Sequence, residues 1–214
     1  MKQNLLRFFS LPRRRLAAAV AAGTLLSLLL TGCCSLARVC GQVRGSTLRL
    51  HVLAASDSRE DQDNKLLVRD ALVNRCAGLF DGLDSREDAE ACAAAHLEEL
   101  QTLAQQTLRE AGCEDPVRVQ LTEQYFDTRQ YDTYTLPAGR YHALRVEIGS
   151  ASGHNWWCVL FPPLCVAAAE ADPSGDAKAL WGEDGVRLVT DSPEIRFAVV
   201  EWIERLREKA RVAS

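Results

Sequence analysis

The chain has 214 residues, 25 of them basic and 29 acidic, for a net charge of −4. The first 15 residues hold five basic residues, Lys2, Arg7 and Arg13-Arg14-Arg15, and no acidic one, so the remainder carries 20 against 29, a net of −9. A body that acidic is excluded as a nucleic-acid binder, which needs clustered Lys and Arg, and is repelled by anionic headgroups.

Those five charges stand before an apolar run over residues 16–30, the charged and hydrophobic regions of an export signal. The run ends in Leu30-Thr31-Gly32-Cys33, similar to the lipobox at which a bacterial signal peptidase cuts and the cysteine takes lipid. Three fates stay open: a lipidated Cys33, an uncleaved anchor extended over residues 32–36, or free secretion. The run alone falls a little short of the roughly 20 residues that span a bilayer. In each case the positive flank stays inside and the bulk lies outside. Residues 1–32 are therefore read as an export signal or anchor, 33–46 as a tether, and 47–214 as one exported domain.

Within that domain Leu48, Leu50, Val52 and Ala54 alternate with Arg49, His51 and Leu53, which predicts a strand with one buried face. Ser58 with Asp61, and Ser85 with Asp88, match the Ser-x-x-acid start of a helix. The first helix carries Leu67, Val68, Ala71 and Leu72; the second is predicted unbroken over residues 85–111, with Gly112 just past its end. Val117, Val119 and Leu121 alternate again, as do Leu144, Val146 and Ile148. Residues 156–161 form an apolar strand that stops at Pro162-Pro163. Residues 166–191 read as a variable loop. A last amphipathic helix opens at Ser192-Pro193-Glu194, with Ile195, Val199, Trp202 and Leu206 expected on its inner face. This order predicts an α+β fold, its four-stranded sheet mostly antiparallel or mixed and covered by helices on one side.

Three segments carry a resemblance. Residues 50–57 (LHVLAASD) with Asp61-Gln62 and residues 65–71, then residues 134–149 with Tyr134-Thr135-Leu136-Pro137, and above all residues 153–165 (GHNWWCVLFPPLC), resemble the stage II sporulation protein R family. Ile195-Arg196-Phe197 through Glu201-Trp202 is similar to that family's last helix. The resemblance implies a protein exported from the forespore into the space between forespore and mother cell. There it would activate a membrane-embedded aspartic protease of the mother cell, leading to processing of pro-sigma factor E. It implies no cofactor, and the chain would be a signal rather than an enzyme.

Two readings of residues 154–158 compete. In one, Cys158 is a nucleophile and His154 its base, as in an extracytoplasmic thiol hydrolase; but four residues of extended chain span about 13 Å, so the pair would have to meet through a tight loop. In the other, Cys158 pairs with Cys165 in a disulfide, as thiols outside the cytoplasm tend to do. Cys76, Cys92 and Cys113 are expected as buried thiols, with a Cys76–Cys92 bridge open. Trp156 and Trp157 should point to opposite faces. No pair among His51, Asp57 and His154 has metal-ligand spacing. The small stretch Gly149-Ser150-Ala151-Ser152-Gly153 delivers His154, Asn155, Trp156 and Trp157 to a sheet edge, with Ser56 and Asp57 nearby. That corner, with His51 on the adjoining strand, is the expected contact for the protease receptor, since hot spots are rigid aromatic anchors ringed by polar groups.

Overall fold

A computed structural model describes residues 13–131, 134–164, 176–191 and 194–213. The chain divides into two compact units, Met1–Arg38 and Val39–Ser214.

Helix α1, Arg13–Gly45, begins in the first unit and ends in the second. In the first unit its Leu16, Val20, Leu25, Leu26, Leu28 and Leu30 are exposed. Within Arg15–Gly45 an 18-residue window reaches a mean hydropathy of 2.0, and the helix is long and apolar enough to cross a membrane. Such a helix is compatible with export or membrane anchoring. Residues 33–46 are not the irregular tether expected, because the helix runs through them. No proline interrupts it, and Cys40 and Val43, three apart on one face, are fully buried in the second unit. Packing sustains helix where composition carries no signal for it.

The second unit continues with β1 (Leu48–Leu53), α2 (Arg59–Leu79), α3 (Arg86–Ala95) and α4 (Leu97–Glu110). After these come β2 (Val117–Phe126), β3 (Arg129–Gln130), β4 (Thr135–Leu136), β5 (Gly139–Ile148) and β6 (Asn155–Phe161). Two helices, α5 (Asp176–Asp191) and α6 (Glu194–Val212), close the chain. The main sheet has the order β2-β5-β1-β6; β1 and β5 are parallel and the other pairs antiparallel, while β3 and β4 form a small hairpin. The fold is α+β with a mixed four-stranded sheet.

Helices α2 to α4 cover one face. Leu48, Leu50, Val52, Leu144, Val146 and Ile148 meet Val68, Leu72, Leu100, Ala104 and Leu108 there in one apolar cluster. The predicted caps form: the hydroxyls of Ser58 and Ser85 accept from the N–H groups of Asp61 and Asp88, each at 3.1 Å. Gly112, at φ +84°, ends α4 by letting its own N–H reach the Arg109 carbonyl and that of Cys113 the Leu108 carbonyl. Gln101 and Gln105 of α4 accept from Val119 and Val117 N–H, blocking the open edge of β2.

The expected single helix over residues 85–111 is two. His96 breaks it, because Nδ1 donates to the Cys92 carbonyl at 2.8 Å, the acceptor its own N–H would use in an unbroken helix. That N–H turns to Ala93 instead.

Nor is β1 buried on one face only. All six of its residues are buried, Arg49 completely. The guanidinium of Arg49 lies 4.1 Å from the Phe126 ring centroid and 5.0 Å from that of Tyr141, and donates to the Tyr131 hydroxyl. Aromatic rings thus cover the second face, where only helices on the first were expected. Residues 176–191 are helical rather than loop. Trp181 of α5 is fully buried with Val43, Leu136 and Val159, and a side chain at Gly185 would crowd it.

The last helix is turned about. Phe197 and Val200 are buried, while Val199, Trp202 and Leu206 are exposed by 47%, 65% and 48%, opposite to expectation. The side chain of Ile195, like Ser192 and Pro193, lies outside the described set. On the inner side Glu204 pairs with Arg44 at 3.5 Å and Glu208 with Arg140 at 2.8 Å. Phe197, Val200 and these ion pairs, rather than the outer stripe, seat this helix.

Candidate docking corner

β1 delivers the turn at residues 54–58 to the end of the sheet where β5 leaves and β6 enters. The loop over residues 149–154 folds onto that turn. Ser150 and Ser152 donate their hydroxyls to the Ala55 carbonyl at 2.6 and 2.8 Å, and Gly153 N–H donates to Ala54 at 3.0 Å. A Cβ on Gly153 would stand 2.1 Å from the Ser56 carbonyl oxygen, so only glycine permits this approach.

The approach places His154 on Asp57. The Asp57 carboxylate accepts from His154 N–H at 2.6 Å and from its ring Nδ1 at 2.5 Å. The ring hydrogen bond first, then the backbone one, holds the Asp57 carboxyl below its ordinary range. With Nδ1 engaged, Nε2 is the nitrogen left for an outside group, and the His154 side chain is 79% exposed.

A second layer fixes the corner from α2. Ser56 hydrogen-bonds Asp61, Gln62 donates to the Ser56 carbonyl at 2.8 Å, and Lys65 Nζ donates to the His154 carbonyl at 3.1 Å. Lys65 is itself buried, which pulls its pKa down. The Trp156 ring lies open beside it under the Arg69 guanidinium at 4.3 Å. The sequence reading missed Gln62, Lys65 and Arg69. Their signal was the polar row Asp61, Lys65 and Arg69, four apart on one helix face.

Of the residues expected together, Ser56, Asp57, His154 and Trp156 share this corner. His51, Asn155 and Trp157 do not: their side chains belong to the second face, where Asn155 turns to His51 and the rings of His51 and Trp157 stack at 5.7 Å between centroids. His51 is buried with Gln124 on its Nδ1 at 2.7 Å, and burial lowers its pKa to about 4. It has no open surface for a partner. Trp157 carries the Arg129 guanidinium at 4.3 Å on that side.

Cys158 is disulfide-bonded and buried on the first face of β6, level with Leu50. It therefore presents no thiol to His154, and the nucleophile–base pairing finds no support here. Cys165, its expected partner, lies outside the described residues. Cys76, Cys92 and Cys113 are free thiols, so the Cys76–Cys92 bridge is not formed; burial pushes Cys76 up to about 12. Cys33 is a free, exposed thiol on α1. Among the described residues no three His, Cys, Asp or Glu side chains converge as a metal site.

Comparison with known proteins follows the same residues. The family model for stage II sporulation protein R matches residues 44–171. The stage II sporulation protein R of Bacillus subtilis (strain 168) is 31% identical over 180 residues, covering 74% of this chain and 80% of that one. No solved structure matches.

Proposed function

Because the chain belongs to the stage II sporulation protein R family, its role lies in sporulation, and we propose that it is the exported signal of the forespore. On this reading it crosses into the space between forespore and mother cell, remains membrane-associated through its N-terminal helix or a lipid on Cys33, and activates a membrane-embedded aspartic protease. The protease then processes pro-sigma factor E. The chain acts by contact, without turnover or cofactor.

The observation that supports contact over catalysis is the corner itself. It is a rigid, exposed arrangement in which His154, held by Asp57, and Trp156, held under Arg69, face outward from a backbone that Gly153 locks to Ser56. Pre-ordered aromatic and polar groups of this kind lose little entropy on binding. A thiol hydrolase would need Cys158 free, and it is bonded.

The test is co-expression of the full chain with the protease and the sigma factor precursor in a host that does not sporulate. Wild-type chain should produce processed sigma factor. His154→Ala should abolish processing while circular dichroism stays unchanged. Normal processing by that folded variant would move the interface elsewhere.

A further inference from the structure

Val199, Trp202 and Leu206 stand at i, i+3 and i+7 on α6, one continuous stripe. At 100° per residue the stripe lies about half a turn round from Phe197, Glu204 and Glu208, which face the body of the unit. A helix normally turns such a stripe inward. Here an exposed tryptophan is its centre.

We infer that this stripe rests in the surface of the bilayer that holds the chain's own anchor. The inference depends on the membrane association proposed above and adds a second point of attachment to it. Three observations select lipid as the occupant. The first is reach: Arg44, ion-paired to Glu204 at 3.5 Å, is six residues after Arg38, the last residue of the first unit. Whatever direction the chain takes, six residues extend no more than about 20 Å. Covalent length alone therefore keeps the Glu204 turn of α6 within reach of the membrane, on whichever side the helix is approached.

The second is chemistry. Trp is the residue favoured at the level of the headgroups, and a helix with Trp, Leu and Val on one side and Arg and Lys along its flanks lies in the plane of the interface. Arg205 and Arg207 are more than half exposed, and Lys209 and Arg211 occupy the last turn. The net acidity of the exported part, which argues against a membrane face, does not operate at this one. Glu204 and Glu208 point inward to Arg44 and Arg140, and Glu201 is paired with Arg205.

The third is size. Three side chains present on the order of a few hundred Å², well short of the roughly 800 Å² per partner of a stable protein interface. A second copy of the chain would be weakly held there. A bilayer already beside the helix requires no such area, because the anchor supplies the affinity and the stripe only its orientation.

The full chain, reconstituted in phosphatidylcholine vesicles with and without dibrominated acyl chains, tests this through tryptophan fluorescence. Flotation first establishes that the chain is with the vesicles; failure to float would overturn the anchorage, and the stripe's contact with it. In chain that floats, bromine should quench emission by up to the share of one tryptophan in four. Trp202→Phe should remove that quenching, and Trp156→Phe should leave it unchanged. Equal quenching in wild type and Trp202→Phe, or none in wild type, would overturn the inference while leaving the anchor intact. Protection of Trp202 from both bromine and aqueous iodide would assign the stripe to a second copy or another protein and overturn it as well.

Discussion

Helices α4 and α6 have similar sequence patterns and opposite fates. In α4 the apolar residues Leu100, Ala104 and Leu108 are fully buried against the sheet, and its glutamines close the edge of β2. In α6 the apolar stripe faces out, and carboxylates tie the inner side to Arg44 and Arg140. Periodicity shows that a helix has two sides. It does not show which side the rest of the chain can satisfy. Where the neighbouring surface offers leucine and valine, the apolar side goes in; where it offers guanidinium groups, the acidic side does.

The widest separation between the two helices should appear on truncation. Leu100→Ala leaves a cavity in the main cluster and should cost about 2–5 kcal/mol, lowering Tm by roughly 5–15 °C. Leu206→Ala removes comparable bulk from a surface already open and should stay within about 0.5 kcal/mol. Thermal melts of the two variants side by side check this, and equal losses would mean that the outer face of α6 is covered.

The same contrast divides β1, where Leu48, Leu50 and Val52 fill one face and Arg49 and His51 the other. His51 has its pKa lowered to about 4, against about 6.5 in an unfolded chain. Between those values the unfolded state binds the extra proton, so stability falls as pH drops from about 6.5 to 4 and is level on either side. The loss is on the order of 3 kcal/mol. His51→Gln should flatten that slope in urea midpoints measured at pH 7, 5 and 4. It should leave the later loss from Asp57, whose lowered pKa places its loss below the ordinary carboxylate range.

The smallest effect sharpens the account of α6. Glu204→Gln keeps the shape but removes the charge paired with Arg44, and should loosen α6 by about 1–2 kcal/mol. Amide hydrogen exchange should rise in α6 and remain unchanged in α4. Raised exchange in both would mean that the two helices unfold together.

Much of the fold was legible because its signals are local. The Ser58 and Ser85 caps, the positive φ of Gly112 and the alternation in β2 and β5 each reside in a few neighbouring residues. What escaped depends on distant partners. His96 ends α3 through a ring nitrogen that competes with its own backbone, and nothing in an apolar count marks that. Arg49 reads as a solvent residue until Phe126 and Tyr141 are known to lie over it. Trp181 was hidden in an Ala-, Asp- and Gly-rich stretch whose composition suggests a loop. The corner was legible in Asp57 and His154 but not in Lys65, which reads as an ordinary surface lysine until its bond to the His154 carbonyl is seen. His51 looked exposed because one strand's alternation says nothing about a second layer.

The two halves of the corner, Asp57 and His154, are 97 residues apart in the chain. Neither Gly153's approach to Ser56 nor the Lys65 bond exists until β1, β5 and β6 are in register. On the function proposed above, a chain threaded unfolded through an export channel would carry no recognisable message at either end. The message would be written by folding and legible only where folding is complete. The corner would then serve as a receipt for delivery: a receiver would respond to arrival and assembly together, and stay deaf to a copy that stalls in transit.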